Sequence, residues 1–213
     1  LTVSYPYKKF LIENHFIEYP LKKINVVELG IDQSTFSGYK NSRENKKSIV
    51  YCGSLEARKN VSFLLDVYNL LSKIDSEYKL TIIGWGPEKK QLMDFSKNKN
   101  LDVKFLGRLS RDQVMAELHR HSIYVHPSIK ESFSYSLLEA KLAGLNTFAH
   151  SGLEVPSVFI DVPMSLFEAE KWCAAILDAN HETKKFKKDQ YTFEKMVLST
   201  LEYFPSFEQN TEI

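Results

Sequence analysis

Two glutamates eight residues apart, Glu131 and Glu139, flank a serine-rich stretch in IKESFSYSLLEAKLAGL, residues 129–145. A pair of carboxylates has several chemical uses. It can act as acid and base about a glycosidic bond, although spacing along a chain does not give the separation in space. It can accept hydrogen bonds from ligand hydroxyls, because an ionised carboxylate offers two oxygens and no donor. It can also be structural: Ser136 followed three residues later by Glu139 matches a capping box, which accounts for Glu139 without any ligand.

A second candidate is GSLEARKN, residues 53–60, which places Arg58 and Lys59 at or just before the first turn of a predicted helix. Free N–H groups and the dipole make a helix start favourable for anions. Cations there run against the usual preference, a conflict removed if a polyanion binds; a solvent-facing basic pair is the alternative. The segment is not a Walker phosphate loop, which needs G-x-x-x-x-G-K-[ST]. IIGWGP, residues 82–87, has two glycines but not the third of the dinucleotide fingerprint. A dinucleotide dehydrogenase is therefore rejected.

These residues need a scaffold, and from about residue 47 the chain supplies a repeating one. Short apolar, β-branched runs (SIVYCG, YKLTIIGWG, DVKFLG, SIYVHPS, LNTFAH and a shorter SVFIDVP) alternate with helical patterns. In KNVSFLLDVYNLLSKI the apolar residues Val61, Leu64, Leu65, Val67, Tyr68 and Leu71 recur at helical spacing. PEKKQLMDFSKN predicts a helix with Pro87 at its first position. RDQVMAELHRH, SYSLLEAKLA, AEKWCAAILDAN and TFEKMVLSTLEYF read as further helices. Strands alternating with helices predict an α/β fold: a Rossmann-like, doubly wound parallel sheet with helices on both faces. Ligands of such sheets bind beyond the carboxyl ends of the strands. Gly53, Gly84, Gly86 and Gly107 stand at those ends, where they either admit a ligand or simply make tight turns. Residues 1–46 break the rhythm: PYKKFLIENHF predicts a helix, KINVVELG a strand, and QSTFSGYKNSRENKK a polar linker. The tail PSFEQNTEI reads as a fraying end.

Composition narrows the function classes. The 213 residues are 43% hydrophobic and 26% charged, with a net charge of +1, so no global field points to nucleic acid or to an anionic surface. No apolar run reaches the roughly 18 residues of a membrane span, and no signal peptide is visible. Cys52 and Cys173 read as buried free thiols, and neither they nor the six histidines have metal-ligand spacing.

In this order the segments resemble the GT-B glycosyltransferases of family 4, retaining enzymes that use nucleotide sugars. The resemblance covers roughly residues 22 to 204. KINVVELGIDQSTF is similar to the family's interdomain segment. IVYCGSLEARKNVSFLLDVYNLL resembles the first strand and helix of its donor domain, and LTIIGWGPEKKQL and VKFLGRLSRDQVMAELHRHSIYVHPS the next units. ESFSYSLLEAKLAGL fits the E-x7-E signature, and YTFEKMVLSTLEYF resembles the helix that crosses back toward the acceptor domain.

The resemblance implies a donor site. Lys59 would meet the diphosphate and Glu131 the donor sugar's hydroxyls, as the two catalytic residues. Glu139 would bind the ribose hydroxyls. Backbone N–H groups of Phe133, Ser134 and Tyr135 would cradle the phosphates. Gly84, Gly86, Leu106 and Arg108 would border base and phosphates, and Gly53, Ser54, Arg58 and Ser132 complete the donor-binding set. The donor would be a UDP-, GDP- or other nucleotide sugar. No cofactor is implied and no metal is expected, since no Asp-x-Asp motif is present. The reaction drawn for the family is same-face attack, with the leaving phosphate taking the acceptor's proton.

Three departures stand out: Ser54 replaces a frequent Arg, Ser132 and Ser134 replace the glycines of E-G-F-G, and SGLEVPSVFIDVP stands where Gly-Gly-x-x-Glu is usual. Serine at a position needing positive φ would be strained. The implied organisation is 1–46 as the end of a preceding N-terminal domain and linker, 47–190 as the nucleotide-sugar-binding domain, and 191–213 as crossover helix and tail. A glycan or lipid-linked acceptor would be held by an N-terminal domain preceding Leu1, with nucleic acid excluded as a partner. The location implied is cytoplasmic, with peripheral association at the inner face of the cytoplasmic membrane. The alternative is a non-catalytic nucleotide or nucleotide-sugar binding module, or a ligand-free Rossmann-like domain.

Overall fold

A computed structural model describes residues 1–14, 24–36, 39, 46–179, 183 and 185–203. The predicted tail, 205–213, and linker residues 37, 38 and 40–45 lie outside them. Six strands form the sheet: β1 (Ser48–Cys52), β2 (Lys79–Ile83), β3 (Val103–Gly107), β4 (Ile123–His126), β5 (Asn146–His150) and β6 (Val162–Met164). All described pairings are parallel, in the order β3-β2-β1-β4-β5-β6. This is the Rossmann order, and it reverses between β1 and β4, where the loops leaving the two strands run apart and open a crevice.

The helices are α1 (Tyr5–Glu13), α2 (Val61–Ile74), α3 (Lys89–Asn98), α4 (Arg111–Leu118), α5 (Tyr135–Leu142), α6 (Ala169–Leu177) and α7 (Phe193–Tyr203). They divide between the faces as strand periodicity demands. Ile49 and Tyr51 point into a core shared with α2 and α6, through Leu64, Leu65, Trp172 and Ile176. Val50, between them, points into the opposite core with Met115 of α4 and Leu137 and Leu138 of α5. Because both faces are covered, the strands carry near-continuous apolar runs rather than alternation.

Three predictions need correction. The described residues of KINVVELG, 24–30, form no strand: they make one isolated bridge, Val26 with Thr2, and the next residue, Ile31, makes another with Thr192, so the segment packs between two chain segments rather than along a sheet edge. A side chain at Gly30 would lie 2.0 Å from the Thr192 carbonyl oxygen, so only glycine permits that approach. Pro87 does not open α3, which begins at Lys89. SVFIDVP contains a 3-10 turn, Ser157–Phe159, before the three residues of β6.

Within the second core a buried ion pair holds α5 in place. Lys141 Nζ lies 2.6 Å from Asp161 Oδ1, and Asp161 Oδ2 accepts from the Thr147 backbone at 3.0 Å. Both side chains are almost wholly buried, so the pair ties α5 to β5 and to the segment leading into β6.

Candidate functional site

The loops after β1 and β4 meet at the crevice. The first begins at Gly53, passes Ser54 and tightens into a 3-10 turn, Ala57–Lys59. Asn60 then takes a left-handed conformation, φ 51°, which Asn tolerates, and α2 begins. Tyr51 donates its hydroxyl to the Ser54 carbonyl at 2.9 Å, Ser54 Oγ donates to Glu56 at 2.7 Å, and Glu56 pairs with Arg58 at 2.9 Å. The Ile129 N–H donates to the Arg58 carbonyl at 2.9 Å and locks the second loop to the first.

Glu131 is the hub. Its Oε1 accepts from Lys59 Nζ, from Ser128 Oγ at 2.9 Å and from His126 Nε2 at 3.2 Å; Arg58 stands 3.7 Å from Oε2. Burial opposes a charge here, but the hydrogen bonds and charges of His126 and Lys59 outweigh it and lower the carboxyl pKa to about 2. Glu131 is thus a permanent carboxylate with Oε2 the less occupied oxygen. His126 is fully buried, and that desolvation lowers its pKa despite Glu131, so a neutral ring donates Nε2–H to the carboxylate.

The loop is held from behind as well. Ser4, itself buried, caps α1 and places its Oγ 2.7 Å from the Ser132 carbonyl and 2.9 Å from that of Glu154. Phe133 is buried edge-on against Phe159. Ser134 has φ 67°, whereas Ser132 does not have positive φ. Of the two serines replacing glycine, only Ser134 carries backbone strain, and its hydroxyl accepts from the Leu137 N–H at 3.4 Å as the N-cap of α5.

That cap corrects the capping-box expectation. The cap is Ser134, so Leu137, not Glu139, occupies the third helical position, and Glu139 is released from any capping duty. Glu139 instead faces a cleft of about 900 Å³ that it lines with Tyr135, Arg111, Asp32 and Phe193. Burial raises its pKa to about 7, with the charge of Arg111 acting against the rise. Near neutral pH it exchanges readily between carboxyl and carboxylate.

The predicted residues therefore fall into three places. Ser54, Arg58, Lys59, Glu131 and Ser134 share one network at the crevice, and Tyr135 and Glu139 line the adjoining cleft. Gly84 and Gly86 have a packing reason for being glycine: a side chain would lie 1.8 Å from the Gly53 carbonyl oxygen or 2.2 Å from that of Leu55. Leu106 packs against the second core and Arg108 is exposed beyond β3; neither joins the network nor lines the cleft. Sequence reasoning missed His126, Arg111 and Asp32, and placed Ser128 only on the small-residue rim at the strand ends, without its bond to Glu131. His126 had one legible signal, a polar ring closing an otherwise apolar strand at the sheet's carboxyl end. Among the described residues no cluster of three or more His, Cys, Asp or Glu side chains can hold a metal ion. No described helix is long and apolar enough to cross a membrane.

A family model described as "Glycosyl transferases group 1" matches residues 32–172, more than half of the chain. The chain belongs to the group 1 glycosyl transferases. Among curated members it is 30% identical over 127 residues to a glycogen synthase of Mycobacterium tuberculosis, covering 58% of this chain and 31% of that protein. It is 28% identical over 123 residues to a 2-deoxystreptamine N-acetyl-D-glucosaminyltransferase of Niallia circulans, covering 57% and 32%. The chain thus spans about a third of the length of the curated group 1 relatives it matches. Anabaena HepE, solved with UDP and glucose, superposes with a TM-score of 0.75 at 15% identity over 97% of this chain and 62% of that one. The pneumococcal O-GlcNAc transferase GtfA, solved with UDP and GlcNAc, gives 0.70 at 17% identity over 100% and 45%. At such identities these structures establish the shared GT-B glycosyltransferase fold.

Proposed function

We propose that this chain is the nucleotide-sugar-binding half of a retaining, family 4 glycosyltransferase. The enzyme transfers a hexose to a glycan or lipid-linked acceptor in cell-surface polysaccharide synthesis, at the inner face of the cytoplasmic membrane. Residues 47–190 form the donor domain, 191–213 the crossover helix and tail, and 1–46 the end of an acceptor-binding domain with its linker. The observation that carries this reading is the joint placement of the Lys59–Glu131 pair at the strand-order reversal and Glu139 in the cleft beside it. The solved relatives that contain UDP with a sugar support it.

In this reading Glu139 takes the ribose hydroxyls and the α5 N-terminus takes the phosphates, where free N–H groups favour anions. Lys59, held by Glu131, retains further N–H donors for the diphosphate and stabilises the charge that grows on it. Glu131, ionised and anchored through Oε1, presents Oε2 to the sugar hydroxyls and orients the ring. The bond from the anomeric carbon to the phosphate oxygen breaks as the acceptor oxygen bonds to the same face. The acceptor's proton passes to the departing phosphate. No metal or cofactor is assigned a step.

Calorimetry with UDP-glucose, UDP-N-acetylglucosamine and GDP-mannose tests the reading. At least one should bind, and Glu139→Ala should abolish its binding; heat of mixing alone for all three overturns it. Transfer by the full-length protein then separates an enzyme from a non-catalytic binding module.

A further inference from the structure

The segment ahead of the sheet meets the site at one loop. Helix α1 is nine residues long and buries none of its side chains, so no core of its own holds it. A helix this short is marginal alone. Two contacts of this segment land on the loop that carries Glu131. Phe10 lies beside Lys130, whose Nζ is 4.7 Å from the ring centre. Ser4, the cap of α1, is wholly buried and sets its Oγ against the Ser132 carbonyl at 2.7 Å and the Glu154 carbonyl at 2.9 Å. Glu154 in turn donates its N–H to the Glu131 carbonyl at 3.1 Å. The Thr2 N–H donates to the Asn25 carbonyl and the Val27 N–H to the Thr2 carbonyl, both at 2.9 Å, which fixes the chain just before Ser4.

The Ser132 carbonyl shares a planar trans peptide with the Phe133 N–H, and the two point in opposite directions. Anchoring the carbonyl on Ser4 therefore aims the N–H away from Ser4. Phe133 is 2% exposed, and its N–H has no acceptor among the described residues. Buried backbone donors are rarely left without a partner. This one stands immediately before Ser134, the cap of α5, where an anion is favoured.

Resting on the donor reading above, we infer that Ser4 is a positioning residue for the donor phosphates: its hydroxyl fixes the 132–133 peptide so that the Phe133 N–H meets a phosphate oxygen, and it couples the order of α1 to occupation of the donor site. Such coupling is reciprocal. If a bound donor orders α1, an ordered α1 strengthens donor binding by the same factor.

Calorimetry with UDP-glucose, UDP-N-acetylglucosamine and GDP-mannose first finds a donor that the parent binds. Ser4→Gly keeps most of the effect of an N-cap but has no hydroxyl. It should bind that donor about tenfold more weakly, as expected when a buried carbonyl loses its partner. Ser4→Thr, which keeps the hydroxyl, should stay within about twofold of the parent. Hydrogen exchange gives a second readout. The donor should slow exchange at α1 amides such as Lys8, which donates to the Ser4 carbonyl at 3.0 Å, in the parent and in Ser4→Thr but not in Ser4→Gly. A cap with no further role would alter melting and leave affinity and donor-dependent protection unmoved. Ser4→Gly within about twofold of the parent overturns the inference. So does Ser4→Thr binding as weakly as Ser4→Gly, or α1 exchange in the parent that ignores the donor. Each of these leaves the donor reading standing. Binding of none of the three donors by the parent overturns that reading and the inference with it.

Discussion

Lys59 and Glu131 pair across the point where strand order reverses, a cation from the loop after β1 meeting a carboxylate from the loop after β4. Their side chains are 11% and 9% exposed. The pair therefore locks the two loops together as well as preparing a binding site. Removing Glu131 takes the carboxylate from Lys59, and removing Lys59 takes from buried Glu131 its nearest cation, leaving His126, Ser128 and the more distant Arg58. Lys59→Ala and Glu131→Ala should each lower unfolding stability by about 2–4 kcal/mol, and the double variant should cost about 1–3 kcal/mol less than their sum. Urea denaturation of the four proteins measures it. Strict additivity would show that the pair contributes no coupling.

Acid should unpick the same network. The Glu131 pKa falls from 4.5 to about 2 on folding, so its contribution is present above pH 4.5 and is lost as pH falls from there toward 2. Its size is on the order of 3 kcal/mol. Glu131→Gln should be clearly less stable than the parent at pH 6 and much closer to it at pH 3. A gap independent of pH would contradict the assignment.

Glu139 has the opposite sign. Its pKa rises from 4.5 to about 7, so the folded protein favours the neutral acid. The stability tied to that proton is complete below pH 4.5 and disappears as pH rises through 7. Glu139→Gln, permanently neutral, should match the parent at pH 4 and exceed it at pH 8. Ribose hydroxyls bond best to the carboxylate, so affinity for a nucleotide sugar should rise between pH 6 and 8. Such donors have no phosphate titrating in that interval, and the rise should vanish in Glu139→Gln.

Ser134 combines a strained backbone with a useful hydroxyl. Left-handed geometry costs a non-glycine residue about 1–2 kcal/mol, and the helix cap offsets part of this. Ser134→Ala keeps the strain and loses the cap, which should cost about 1 kcal/mol. Ser134→Gly loses the cap but relieves the strain and should remain within about 0.5 kcal/mol of the parent or exceed it. Thermal melts of both variants give the order, and alanine above glycine would refute the account.

Lys141→Met should be among the more damaging single changes outside the site. It removes the cation beside buried Asp161, which also accepts from Thr147, and should cost about 3–5 kcal/mol. Because α5 carries Ser134 and Glu139, nucleotide binding should weaken alongside stability. Pairing it with Asp161→Leu should recover much of the loss, since a hydrophobic replacement of both partners removes the buried charge.

Local patterning determined most of the architecture. Apolar β-branched runs ending in glycine became the strands, and helically spaced apolar residues such as Leu64, Leu65 and Leu71 became the buried face of α2. Alternation of the two was sufficient to predict a parallel sheet, because parallel strands need crossovers. Residue type and position also marked Lys59, Glu131 and Glu139 before any contact was known. What the sequence left open were choices between local equivalents and contacts between distant segments. Three serines, 132, 134 and 136, can each cap a helix, and only the backbone path selects Ser134. KINVVELG has the composition of a strand but finds no sheet edge, so partner geometry overrides propensity. Glu131 has its low pKa because His126 and Lys59 converge on one oxygen, and Lys59 follows β1 whereas His126 ends β4, far apart in the chain. Arg111 and Glu139, separated by β4 in sequence, share a cleft only because the chain reverses its strand order between β1 and β4.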